Sequence, residues 1–224
     1  MPTRSSSRRS EASLGFRAHS GWAALVAVAG PGAEPIAVLR RRLVLSEGTP
    51  RQPFHAAEGR PFATAEELIF RSTEEARALA ERAVKDAVAE LRAAGHEPVA
   101  SGLLLAAGRS LPGLREVLAS HALIHAAEGE LFREALRQAS RRHGLGLLEV
   151  RERELEGRAA RSLRQPLAGI QRCVAGWGRE LGPPWTQDEK RAALVAWLAL
   201  AAGGGPARAP GGARAAGSPR REAG

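Results

Sequence analysis

The chain has 224 residues, 44% hydrophobic and 25% charged, which excludes a wholly disordered, collagenous or disulfide-stapled protein. Five Phe, four Trp and no Tyr leave the core to aliphatic and alanine side chains, and the lone Cys173 excludes an internal disulfide and any multi-cysteine zinc site. The net charge is +9, of which the ends hold +5: Arg4, Arg8 and Arg9 against Glu11, and Arg208, Arg214, Arg220 and Arg221 against Glu222. Basic ends of this kind can hold a nucleic-acid backbone by releasing counterions, or can simply keep a protein in solution.

In chain order, residues 1–13 and 204–224 read as disordered tails, because neither can form an apolar stripe, and residues 14–203 read as one domain. Residues 22–29, Trp-Ala-Ala-Leu-Val-Ala-Val-Ala, predict a strand buried on both faces. Gly30 to Pro35 supplies a turn, and residues 36–45 predict a second strand interrupted by Arg40, Arg41 and Arg42, so the two form a hairpin. A third short strand is expected near residues 51–55. Thr64 and Glu67 stand at capping-box spacing and open a long helix that Gly95 stops. Residues 99–107 predict a buried strand, 112–142 a helix ending before Gly144, and 145–150 another strand. Helices over 154–163, 167–181 and 186–202 follow, the last two separated by Gly182-Pro183-Pro184. A hairpin followed by alternating helices and strands predicts a mixed α/β sheet with a helical C-terminal part. No stretch is long and apolar enough to span a bilayer, and no targeting segment is legible, so a cytoplasmic protein without a membrane partner is expected.

The predicted helix 112–142 carries polar residues where apolar ones belong. At about 100° per residue, His121, His125 and Glu128 fall inside the stripe formed by Leu114, Leu118, Ile124 and Phe132. Three arrangements stay open. The trio can bind a divalent metal, since two histidines four apart share a helical face and Glu128 can add a ligand. It can form a proton-transfer pair in a polar cleft, with the glutamate orienting an imidazole. Or the helix breaks near Ser120, a residue type suited to a helix N-cap, which restarts the phase and returns the trio to the surface.

Other candidates lie outside that helix. His55-Ala-Ala-Glu-Gly-Arg-Pro-Phe62 repeats the pattern of His125-Ala-Ala-Glu-Gly-Glu-Leu-Phe132; abundant Ala, Glu and Gly make coincidence the favoured explanation, yet His55 and Glu58 are functional residue types on an expected loop. Arg17, His19 and Ser20 stand just before the first predicted strand, and strand ends in α/β sheets are where sites gather. Gly108-Arg109-Ser-Leu-Pro-Gly113 follows a strand and can take an anion through Arg109 and helix-terminal amides. His121, His125, Glu128 and His19 are thus the catalytic candidates, and Arg17, His55, Glu58 and Arg109 the substrate-binding ones. Trp177, Trp185 and Trp197 are expected in helix contacts.

Several segments resemble the crossover-junction endodeoxyribonucleases, resolvases of the ribonuclease-H-like superfamily. Gly15-Phe-Arg-Ala-His-Ser-Gly-Trp-Ala-Ala24 resembles the family's opening strand, which carries an Asp and ends in Gly-Trp-Ala. His121 to Gly129 looks like the helix after the fourth strand, Glu149-Val-Arg-Glu-Arg-Glu154 stands at the following strand and turn, and Pro184 to Ala196 is similar to the acid-bearing last helix. The resemblance implies a ribonuclease-H-like mixed sheet over about residues 15–202. In the family, carboxylates hold two magnesium ions that activate water. Here Arg17 and His19 stand near the place of the first acid, residues 99–107 hold none, and Asp188 is followed by Arg191 where a second acid is expected. The implied function is therefore a ribonuclease-H-like domain without the usual two-metal nuclease site, a nucleic-acid-associated or protein-interaction module, with nucleic acid at the basic tails or a second copy of the chain as partners. The alternative is a metal-assisted or acid/base hydrolase using the His/Glu cleft; a divalent metal suits that reading and a magnesium pair does not.

Overall fold

The computed structural model describes residues 9–106 and 110–203. Five strands, β1 (Ser10–His19), β2 (Trp22–Ala29), β3 (Ile36–Val44), β4 (His96–Leu105) and β5 (Gly146–Arg151), form one sheet in the order β3-β2-β1-β4-β5. The first three are antiparallel neighbours, while β4 runs parallel to β1 and β5 parallel to β4. Among the described residues seven α-helices accompany them: α1 (Pro53–Ala57), α2 (Phe62–Ala93), α3 (Leu114–Leu118), α4 (His121–Arg142), α5 (Leu155–Leu163), α6 (Leu167–Leu181) and α7 (Gln187–Ala201). Two cores result. Leu14, Phe16 and Leu25 face α2 and α4 on one side of the sheet, and Val26, Val28 and Leu104 face α5, α6 and α7 on the other. This is the mixed α/β sheet with a helical C-terminal part that the sequence predicts. No helix among the described residues is long and apolar enough to cross a membrane.

Four local features differ from the sequence reading. The central strand β1 precedes the first strand predicted from pattern, at Trp22, so Arg17 and His19 lie on a strand rather than before one; it also begins at Ser10, so residues 10–13 belong to the folded body rather than to a tail, with Ala12 and Ser13 fully buried. Their small side chains carry little hydropathic signal, and pairing with β2 on one edge and β4 on the other is a tertiary fact. Residues 53–57 are helix α1, not part of a strand, because Pro53 suits a helical first turn and cannot donate to a ladder. Helix α2 starts two residues before Thr64, with Pro61 at its N-cap and no side-chain capping bond. The helix predicted over 112–142 is two helices, and Ser120 sits between them in extended conformation (φ −137°, ψ 112°) as the N-cap residue of α4. Elsewhere the punctuation holds: Gly95 takes φ +88° just after α2, and Trp177 and Trp197 are buried with ring centroids 5.5 Å apart.

Helix α7 lies unusually close to the sheet. A Cβ on Gly15 of β1 would stand 1.9 Å from the Ala192 carbonyl oxygen, and one on Gly102 of β4 would stand 2.4 Å from that of Val195. Two residues before Gly15 on β1, the Ser13 hydroxyl donates to the Ala196 carbonyl at 2.6 Å. Two missing side chains thus set the depth of α7 and one hydroxyl sets its register. The N-terminus of α7 carries a capping box, Thr186 with Glu189, in which the Asp188 amide donates to the Thr186 hydroxyl and the Thr186 amide to the Glu189 carboxylate. Gly15→Ala is expected to lower stability by about 1–3 kcal/mol or more by forcing α7 outward. Gly157→Ala, on exposed α5 with only the Arg161 guanidinium 3.4 Å away, is expected to raise it by about 0.5–1 kcal/mol through helix propensity. Equilibrium urea unfolding of the two variants checks the opposite signs.

Candidate functional site

The C-terminal ends of the parallel strands β1, β4 and β5 share one edge of the sheet, the position at which α/β folds gather functional groups. Arg17 and His19 lie at the end of β1 on the side facing α7, two and four residues beyond Gly15. Because α7 runs back over β1 from Ala196 to Ala192, its first turn brings Asp188 onto this pair. The Arg17 guanidinium contacts two acids: Nε and Nη2 donate to Oε1 of Glu152 at 2.9 and 2.8 Å, and Nη1 pairs with Oδ1 of Asp188. Arg191 also pairs with Glu152, and His19 Nε2 lies 3.0 Å from Asp188 Oδ1. Two carboxylates therefore meet two guanidiniums. Glu152 is the member that sequence reasoning missed; it sits in a short 3-10 turn (Glu152–Glu154) directly after β5, a strand-end position that could have signalled it.

His19 stacks on Trp22 at 4.2 Å, and Arg42 from the strand on the other side of β2 lies 3.5 Å from the same indole centroid. Burial first, then the charges of Arg17 and Arg42, hold the His19 pKa below its ordinary 6.5, against an upward pull from Glu152. Asp188 faces the imidazole but is already matched by Arg17, so the cationic surroundings prevail. Beside this cluster a cleft of about 540 Å³ opens between α5, α6 and α7, with Glu152 and Arg191 on its wall.

The predicted helical trio is divided. The break at Ser120 turns His121 and His125 to solvent, while Glu128 stays buried at 2% exposure. Glu128 does not serve as a helix-face metal ligand. Its Oε1 accepts from the backbone amides of Phe54 and His55 at 2.8 and 3.0 Å and lies 3.1 Å from His55 Nδ1, so it satisfies the free N-terminus of α1. Arg17 is engaged on the other side of the sheet, with Glu152 and Asp188. His55 lies on α1 rather than on a loop. It comes to 4.6 Å from His125 and 5.5 Å from His121 between ring centroids, so the two His-Ala-Ala-Glu-Gly segments meet at their histidines. Glu58, exposed just after α1, faces His121 at 3.7 Å. The candidates thus form two groups: Arg17 and His19 at the sheet edge, and His55, Glu58, His121, His125 and Glu128 where α1 meets α4. Arg109 lies outside the described residues.

No known family matches the chain by sequence, and no curated protein matches it. Solved structures do. The structure of RuvC from Thermus thermophilus superposes with a TM-score of 0.51 at 13% identity, over 84% of this chain and 92% of that one. The T. thermophilus RuvC in complex with Holliday junction substrate gives 0.50 at 11% identity, over 84% and 91%. The chain has the RuvC fold. The ribonuclease-H-like architecture expected from the short segments is thereby shown.

Two outcomes test the geometry of these groups. Glu128→Ala leaves two amides of α1 without an acceptor in a buried place and is expected to cost about 1–3 kcal/mol, whereas His125→Ala, at the surface, is expected to change stability by less than about 0.5 kcal/mol. Thermal unfolding of both variants decides it. For His19, the folded pKa lies below the unfolded value, so below pH 6.5 the unfolded chain takes up a proton that the folded chain refuses. Stability therefore falls as pH drops from 6.5 toward the folded pKa. His19→Gln is expected to make the loss between about pH 7 and 5 shallower, as measured by denaturant midpoints across that range.

Proposed function

We propose that the protein is a ribonuclease-H-like domain that associates with nucleic acid and does not cleave it by the two-magnesium route. The observation that carries this reading is the Arg17 guanidinium lying between Glu152 and Asp188, in contact with both. A pair of magnesium ions needs several carboxylates with uncompensated negative charge to replace part of its hydration shell. At this edge β1 offers Arg17 and His19, the C-terminal half of β4 (Gly102 to Leu105) offers no acid, and the two carboxylates that remain are neutralised by Arg17 and Arg191. The residues present do not fit the metal pair, and a cation entering there must displace a guanidinium.

The same arrangement supports association with an anionic polymer. Arg42 is exposed beside Trp22, and Lys190 and Arg153 line the adjoining cleft with Arg191. The chain carries a net +9, and a T. thermophilus protein of the same fold is known in complex with a Holliday junction substrate. Phosphate contacts by arginine and lysine give affinity that falls with salt.

Band-shift and cleavage assays with four-way-junction DNA test the proposal. Binding is expected at 50 mM salt. It should weaken on the order of 10²-fold at 200 mM if three or four phosphates are neutralised, with no product in magnesium. Magnesium-dependent cleavage that Asp188→Asn abolishes, or no binding at low salt, would overturn it.

A further inference from the structure

We propose that His55, His121 and His125 form a three-imidazole site for a divalent transition metal of the zinc class, with Glu128 as its outer-sphere carboxylate. The nitrogen ligand atoms of the three side chains all lie within 4.8 Å of one another, and Nε2 of His121 and Nε2 of His125 are 3.1 Å apart. A tetrahedral zinc with bonds of about 2.0–2.1 Å spaces its ligand nitrogens about 3.3 Å apart. The His121–His125 pair already stands near that spacing, and exposed rings at the first turn of α4 need only small rotations to bring in the third.

The ring nitrogens are disposed for metal. Glu128 Oε1, anchored by two α1 amides, lies 3.1 Å from His55 Nδ1, so it holds the Nδ1–H tautomer and leaves the Nε2 lone pair free. His121 likewise turns Nδ1 toward Glu58 and Nε2 toward His125. All three can bind through Nε2, the arrangement in which an imidazole passes charge to a carboxylate behind it. Glu128 is also a buried carboxylate whose second oxygen, Oε2, has no hydrogen-bond partner among the described residues. A dication bound at His55 Nε2 would place compensating positive charge behind that carboxylate. An all-imidazole set suits zinc, cobalt, nickel or copper and not magnesium. Three protein ligands leave a fourth position, which here opens to solvent because His121 and His125 are exposed. The site is on the opposite side of the sheet from Arg17 and does not depend on the reading of that edge.

The test uses the full chain, free of any histidine tag, titrated with zinc by calorimetry and with cobalt by visible absorption. One equivalent of zinc, a tetrahedral cobalt spectrum and a rise in melting temperature are expected. The double variant His121→Ala/His125→Ala, whose metal-free melting temperature should match the parent because both rings are exposed, is expected to lose all three. Glu128→Gln, which keeps an oxygen for the α1 amides and removes the charge, is expected to bind zinc about 10–100-fold more weakly. Absence of a stoichiometric zinc complex, or zinc binding that the double variant retains, would overturn the site. Undiminished affinity in a folded Glu128→Gln variant would overturn the outer-sphere role.

Discussion

The close seating of α7 on the sheet is the constraint on which the candidate site depends. A helix is usually held off a sheet by the side chains between them. At Gly15 and Gly102 there are none, and the helix backbone comes within a distance that a Cβ would forbid. The depth and register so defined carry Asp188 to the end of β1. A helix held further out by side chains at those positions would leave Asp188 in solvent and Arg17 with only Glu152. The buried face of α7, Ala192, Ala193 and Ala196 among larger residues, is the matching feature on the helix side. The alanine-rich composition, which otherwise makes for a thin core, is what permits this approach.

The electrostatics of the sheet edge follow from that placement. A half-buried guanidinium needs anionic partners, and Glu152 from the turn after β5 and Asp188 from α7 supply them. The cluster joins three parts of the chain that are remote in sequence and closes the open end of the sheet. Charge balance at this edge is set by a few residues at strand and helix ends, Arg17, Glu152, Asp188 and Arg191.

On the opposite side of the sheet, a single carboxylate has a comparable organising role. Glu128 projects inward from α4 and accepts from the first amides of α1, a helix of five residues too short to persist without tertiary support. Fixing α1 fixes His55, and His55 then stands against the two histidines of the first turn of α4. The break at Ser120 matters equally. A continuous helix would have turned His121 and His125 toward the core, where two imidazoles without partners are costly; the break puts them at the surface with room for a ligand.

Much of this protein was determined by its sequence alone. The apolar run of β2, the glycine turn after it, the long α2 ending at Gly95 and the paired prolines before α7 follow from local chemistry, because each is settled by neighbours a few residues away. His121, His125 and Glu128 could likewise be singled out as polar residues on an apolar stripe, Arg17 and His19 by their place before a strand, His55 as a functional residue type, and Asp188 only through the resemblance. Only the tertiary structure decided their groupings. Nothing local distinguishes β1 from a tail at Ser10, since its order comes from hydrogen bonds to strands on both sides. Nothing local assigns Glu152 to Arg17 over the other acids of that turn, or Glu128 to the amides of Phe54 and His55, 74 and 73 residues away. Those pairings arise because a charged or unpaired group removed from water must find a partner, and which partner is in reach is set by how closely helices and sheet pack.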